Sequence, residues 1–295
     1  MKYEENAGGY FMAFRINDIV MRKSYGSDIL FRVINVIDNK GVRYYLLHGL
    51  NMRIIADAPE DDLIEASRAK IVEYDRPYRE KAEYLLKKIA QSKSLQRKKG
   101  MARGVRQEPY GRPGKVLHID GDEEYLNICM EAYRKVGMEV VGVVLKEEEQ
   151  PEKVYDLLER YRPDILVITG HDSIKSSARD YGDLESYRNS KYFVEAVKNA
   201  RKYEPSLDNL VIFAGACQSN YEALIKAGAN YASSPERVLI HCLDPVLVSE
   251  KVAFSHINEL VKIEDLIEHT ITGAAGIGGL QTMGKFRYGV PKGKY

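Results

Sequence analysis

Two side chains able to make and break an acyl bond stand at the ends of apolar runs. His171 lies in Thr169-Gly170-His171-Asp172, directly after Ile165-Leu166-Val167-Ile168. Cys217 lies in Ala214-Gly215-Ala216-Cys217, directly after Leu210-Val211-Ile212-Phe213. A cysteine attacks as its thiolate, which needs a neighbour that stabilises the charge. A histidine supplies that charge and later protonates the leaving amine. Small residues around Cys217 let a substrate backbone approach, and N–H groups in such a turn can point at an oxyanion. The pair His171 and Cys217 is therefore the candidate catalytic pair. The plainer alternative for Cys217 alone is a small packed hydrophobe.

The other candidates are weaker. Cys129 shares a helical face with Leu126 and Tyr133 and reads as core. Cys242 directly follows His241, and neighbours on a strand face opposite ways, so they make a poor dyad. His118, within Val116-Leu117-His118-Ile119, reads as structural. His171, Cys217 and His241 make three zinc ligands on paper, but no C-x-x-C or H-E-x-x-H anchors them. No G-x-x-x-x-G-K-[ST] occurs, and no G-x-G-x-x-G opens a helix after a strand. The reading is of no metal and no cofactor.

The elements that must position the pair follow from periodicity. From Lys115 onward, apolar runs alternate with helical stripes. The runs are Val116–Ile119, Val140–Leu145, Ile165–Ile168 and Leu210–Phe213. The stripes are Leu126, Cys129, Tyr133 and Val136, stopped by Gly137; Val154, Leu157, Leu158 and Tyr161, opened by Pro151; Phe193, Ala196, Val197 and Ala200, ended at Glu204-Pro205; and Tyr221, Leu224 and Ile225, stopped by Gly228. This alternation predicts a doubly wound, mostly parallel α/β sheet with helices on both faces. Right-handed crossovers set all the strand C-termini on one edge, where such sheets bind ligands. Asp120-Gly121-Asp122, Gly170-His171-Asp172 and Gly215-Ala216-Cys217 all fall there. Beyond residue 230, Val238–His241 reads as a strand or a helix start, and Asp244-Pro245 as the cap and first residue of a helix to Phe254.

The N-terminal part has a different pattern. Ile19–Arg22, Ile29–Ile37, Val42–Leu47 and Arg53–Ile55 are short, β-branched runs, with turn signals at Tyr25–Asp28 and Asp38–Gly41. They predict a small antiparallel barrel, SH3-like, over residues 1–62, closed off by Asp57–Asp62 with Pro59. Residues 63–112 read as a basic helical segment to about Lys93, then an exposed linker from Gln96 to Gly114. From Ala66 to Arg106 there are 13 Lys and Arg against 4 Asp and Glu. A solvated face explains such a run better than nucleic acid, since no aromatics interleave in its most basic part. The α/β domain is expected over 113–295.

Composition narrows the rest. With 44 Lys and Arg against 43 Asp and Glu in 295 residues, the chain is neither a basic nucleic-acid coat nor an acidic disordered chain. Hydrophobic residues at 44% suffice for real cores. No run approaches the ~18 apolar residues of a membrane span, so no membrane partner is expected. The opening Met1-Lys-Tyr-Glu-Glu-Asn6 lacks a secretory layout. Three scattered cysteines fit a reducing compartment.

The order strand–Gly-His, then strand–Ala-Cys, resembles the caspase-like (clan CD) cysteine peptidases, which carry their His and Cys on adjacent parallel strands. Asp18–Gly26, Val116–Asp122, Val167–Asp172, Asn189–Val194 and Phe213–Asn220 further resemble the YabG family of sporulation-specific proteases over nearly the full length. The resemblance implies a caspase-like fold and a cysteine endopeptidase that cleaves after basic residues, arginine preferred. It also implies processing of spore-coat and related spore proteins in the mother-cell cytoplasm, extending to association with the spore coat. Carried over, His171 and Cys217 are catalytic, and the oxyanion hole uses the N–H groups of Cys217 and Asp172. Caspase-like enzymes have Gly after the His; here that position is Asp172, and Gly170 precedes it. A substrate arginine needs a carboxylate. Asp120 and Asp122 are therefore the substrate-binding candidates, with helix capping the plainer role for Asp122. An enzyme of this specificity is expected to nick its own basic linker between residues 97 and 112. The alternative is a non-enzymatic spore scaffold with a degenerate α/β domain. A glutamine-amidotransferase-like hydrolase is disfavoured, because those place the Cys before the His.

Overall fold

A computed structural model describes residues 14–39, 42–102 and 110–289. The chain forms two units. The first comprises residues up to Leu50 together with Ile54–Arg76; the second comprises Asn51–Arg53 together with Pro77 onward.

The first unit is a five-stranded antiparallel sheet. Its strands are β1 (Ile19–Arg22), β2 (Leu30–Asn39), β3 (Val42–Gly49), β4 (Ile55–Pro59) and β5 (Leu63–Glu65), ordered β4-β3-β2-β1-β5. Alternate residues supply its core: Phe31 and Val33, Tyr45 and Leu47, Ala56 and Ala58, with Val20 and Leu63. Two expectations are corrected here. Arg53 and Ile54 precede β4 rather than opening it, and Asp57–Asp62 does not close the strands. β4 runs through Pro59, which an edge strand tolerates because its outer N–H positions need no partner, and β5 follows.

Helix α1 spans Arg68–Ala102. The expected fade at Lys93 and the linker from Gln96 are corrected, since Arg97, Lys98 and Lys99 are helical. Lys, Arg and Gln are good helix formers without any apolar stripe. Arg103 and Arg106, central to the expected nicking site, lie outside the described residues.

The second unit continues through β6 (Tyr110–Arg112), β7 (Val116–Asp120), α2 (Glu123–Lys135), β8 (Val140–Val144), α3 (Gln150–Tyr161), β9 (Ile165–Thr169), α4 (Ser190–Tyr203), β10 (Val211–Ala214), α5 (Tyr221–Ala227) and β11 (Tyr231–Ser233). It ends with α6 (Asp244–Phe254), β12 (Leu260–Val261), α7 (Ile263–Glu268), β13 (Ile277–Gly279), β14 (Thr282–Met283) and β15 (Arg287–Gly289). The main sheet has the order β13-β11-β10-β9-β7-β8; β7 to β11 are parallel and β13 antiparallel. Two small ladders join β12 to β14 and β6 to β15.

Strand residues alternate between two cores, as a sheet covered on both faces requires. Leu117, Ile119, Leu166, Ile168 and Ile212 face α3, α4 and α5 through Val154, Leu158, Phe193, Val197 and Leu224. Val116, Ile165, Val167, Val211 and Phe213 face the other way, toward Cys129 and Tyr133 of α2, Val246 and Val252 of α6, and Leu85 and Ile89 of α1. The register pairs Asp120 with Thr169 and Ile168 with Ala214, so β7, β9 and β10 end side by side on one edge. Val238–Ile240 is neither strand nor helix, and His241 makes one isolated bridge, to Met52. Asp244 is the first residue of α6 rather than its cap. Its carboxylate turns instead to the N–H groups of Ile271 and Thr272. Among the described residues, no helix is long and apolar enough to cross a membrane.

Candidate active site

The loop after β7 presents Asp122, the N-cap of α2. One carboxylate oxygen accepts the Tyr125 N–H at 2.9 Å. The other lies 2.8 Å from Nε2 of His171, in the loop after β9. The backbone of His171 is held from a third loop, where Glu147 accepts its N–H at 2.6 Å. Glu147 fills the space beside Gly121 and Gly170, where a Cβ on either would overlap its carboxylate. These two glycines, each next to a candidate site residue, are what let Glu147 reach in. That explains a glycine before the histidine.

The Asp172 carboxylate is engaged at both oxygens. One oxygen accepts the N–H groups of Ser173 and Asn189, and the other accepts the hydroxyls of Ser190 and Ser219. It thus ties the β9 loop to the start of α4 and to the turn after β10. Burial raises its pKa, against the pull of these donors.

Cys217 lies in that turn and is fully buried. Its sulfur accepts the Ile240 N–H at 3.2 Å. Burial pushes the thiol up to about 12, with the backbones of Ile240 and Arg53 and the charge of Arg53 acting the other way. The structure brings His171 and Cys217 to the ends of adjacent strands. Among the described residues, no hydrogen bond joins the thiol to the ring. Cys129 and Cys242 are also buried, as core residues.

Asp120 closes β7 with no exposure. It accepts the Thr169 hydroxyl at 2.9 Å and the Asp122 N–H at 3.0 Å, and it pairs with the Arg53 guanidinium. Burial alone would raise its pKa, but Arg53 and His118 hold it at about 2. Arg53 is itself fully buried, 5.0 Å above the Tyr125 ring. Its segment lies antiparallel to Ile240–Cys242: the Arg53 N–H donates to the Ile240 carbonyl at 3.2 Å, and the Cys242 N–H donates to the Asn51 carbonyl at 2.9 Å. The Tyr125 hydroxyl donates to the Met52 carbonyl at 2.6 Å.

Sequence reasoning missed Arg53 and Glu147. Arg53, after Asn51-Met52 and before Ile54-Ile55, reads as the start of a short strand, and Glu147 lies in the acidic run Glu147-Glu148-Glu149. An arginine among isoleucines was the one available signal. His118 is structural, bonded to Thr169 and Tyr133. His241 is buried, and desolvation with the nearby Lys81 charge lowers its pKa to about 4. Among the described residues, no cluster of three or more His, Cys, Asp or Glu is arranged to hold a metal.

A family model described as YabG peptidase U57 matches residues 15–291. The Sporulation-specific protease YabG of Bacillus subtilis (strain 168) is 43% identical over 286 residues, covering 95% of this chain and 99% of that protein.

Proposed function

The chain belongs to the YabG peptidase family, and from that membership we propose a cysteine endopeptidase that cuts after basic residues, arginine above all. Its substrates are spore-coat and related spore proteins, processed during sporulation in the mother cell. The α/β unit is read as caspase-like and the N-terminal sheet as an SH3-like barrel.

Cys217 is the nucleophile and His171 the general acid and base. Thiolate attack on the scissile carbonyl gives a tetrahedral oxyanion, received by the backbone N–H groups of Cys217 and Asp172. The Asp172 carboxylate, committed to Ser190 and Ser219, is out of that path. Collapse expels the amine with a proton from His171, and water then hydrolyses the thioester. Asp122 orients the His171 ring through Nε2, and Asp120 is the acid of the arginine pocket.

One observation carries the reading. His171 and Cys217 follow neighbouring parallel strands, beside a buried carboxylate that holds a guanidinium. The test is hydrolysis of fluorogenic peptides ending in Arg, Lys or Asp. Arg is expected to lead, with Asp inert. Cys217→Ala and His171→Ala each lose activity by at least ~1000-fold, and the double variant is no worse than either. Retained hydrolysis in Cys217→Ala rules out the cysteine mechanism.

A further inference from the structure

Arg53 lies where the arginine of a bound substrate belongs. Proteases hold substrates as an added antiparallel strand, through main-chain bonds that any sequence can make, while a pocket reads the side chain. Asn51–Arg53 shows each part of that arrangement. Its main chain makes two bonds to Ile240 and Cys242. Its guanidinium is buried against Asp120, over the face of the Tyr125 ring. Ile240 anchors both reacting partners, since its N–H donates to the Cys217 sulfur and its carbonyl accepts the Arg53 N–H.

The arginine is poorly served as a structural element. Among the described residues, its Nε and Nη1 find no hydrogen-bond partner although both are buried. Buried polar groups of a scaffold are nearly always satisfied. A fully buried charge with one carboxylate fits the occupant of a specificity pocket better than a fixed strut. Through Ile240, which bonds both, this occupant sits beside the Cys217 sulfur, which has no exposure.

We propose that Asn51–Arg53 is a tethered substrate, with Arg53 filling the specificity pocket, and that the Arg53–Ile54 peptide bond is the first one this enzyme cuts. The proposal rests on the catalytic reading of Cys217 and His171 given above. In the step, the Cys217 thiolate bonds to the Arg53 carbonyl carbon. The C–N bond to Ile54 breaks, and the Ile54 nitrogen leaves with a proton from His171. Water then hydrolyses the Arg53 thioester, giving an Arg53 carboxylate and restoring the thiol. One water is consumed, and the products are a fragment ending at Arg53 and a fragment beginning at Ile54.

The experiment follows the full-length protein by intact mass and N-terminal sequencing, with hydrolysis of an Arg peptide measured in parallel. The expected result is a new N-terminus at Ile54 in the wild type and none in Cys217→Ala or Arg53→Gln. Arg53→Lys keeps the charge and guards against misfolding; it is expected to release the same N-terminus at least ~10-fold more slowly. A wild type that hydrolyses the Arg peptide while its Arg53–Ile54 bond stays whole overturns the tethered substrate and leaves the peptidase reading standing. Release of Ile54 from Arg53→Gln or Cys217→Ala overturns it as well. A wild type that cuts neither itself nor any peptide overturns the catalytic reading beneath it.

Discussion

The Asp122 carboxylate serves two masters: one oxygen caps α2 through the Tyr125 N–H, and the other meets Nε2 of His171 at 2.8 Å. The start of the helix and the orientation of the imidazole are set by one side chain. The two roles separate by substitution. Asn caps a helix as well as Asp does, whereas Ala loses about 1 kcal/mol of cap. Asp122→Asn is expected to keep the thermal midpoint near wild type and lower kcat by ~10- to 100-fold, with KM for an Arg peptide little changed. Asp122→Ala is expected to lower both kcat and the midpoint. An Asn variant with wild-type kcat removes Asp122 from the positioning of His171.

The Glu147 cradle makes a second prediction. Gly121→Ala and Gly170→Ala each place a Cβ onto the Glu147 carboxylate. The Glu147 side chain must then swing aside, which leaves the His171 N–H without its acceptor; an unpaired buried donor costs about 1–3 kcal/mol, readable as a lower urea midpoint. Glu147→Gln retains an oxygen for the His171 N–H and is expected to be milder than Glu147→Ala in both stability and kcat.

Acid stability should fall in two windows, best measured on uncut Cys217→Ala protein. His241 is held neutral in the fold, at about 4, by burial and the Lys81 charge. Unfolded chains bind its proton at higher pH, so stability drops as pH falls from the usual histidine value toward 4. His241→Gln is expected to flatten that limb, an effect of up to about 3 kcal/mol. Asp120 has the opposite charge and a depressed pKa of about 2, set by Arg53 and His118 against burial. Its contribution is fully present above the ordinary carboxylate value and is lost as pH falls through 2. Asp120→Asn removes that lower limb. It is also expected to lower kcat/KM for Arg peptides by at least ~100-fold, because a substrate guanidinium is left buried without its partner.

Thiol reactivity gives a fourth. All three cysteines are buried, and burial pushes Cys217 and Cys242 up to about 12. Uncut protein, such as an Arg53→Lys preparation at early times, is expected to alkylate slowly with iodoacetamide at neutral pH, and denatured protein fast at all three. Once the Ile54 N-terminus appears, Cys217 alone is expected to gain reactivity by at least ~10-fold. Equal reactivity of Cys217 before and after that event counts against Arg53 limiting access to it.

Much of the fold was legible in residue order, for a local reason. Burial of Leu126, Cys129 and Tyr133 on α2, the stops at Gly137 and Gly228, and the parallel strands β7, β9 and β10 depend on neighbours two to four positions away. Those neighbours are in the sequence itself. The segment around Lys98 was misread by the same token, since helix propensity held where the apolar stripe had ended. The placement of the His171 and Cys217 loops on one sheet edge was equally legible, because parallel strands all end on the same edge of their sheet.

What only the tertiary structure decided is which side chains meet at that edge. Arg53 and Asp120 are 67 positions apart, Asp122 and His171 are 49, and Glu147 and His171 are 24. No periodicity links such distances. Asp120 and Asp122 look alike in sequence, yet one is sealed against a guanidinium and the other turns to an imidazole. The reason is physical. A residue's type and its near neighbours determine its backbone state and whether it is buried. Its partner is determined by where separate loops converge once the sheet has closed, and by the need of each charge taken from water to find an opposite one.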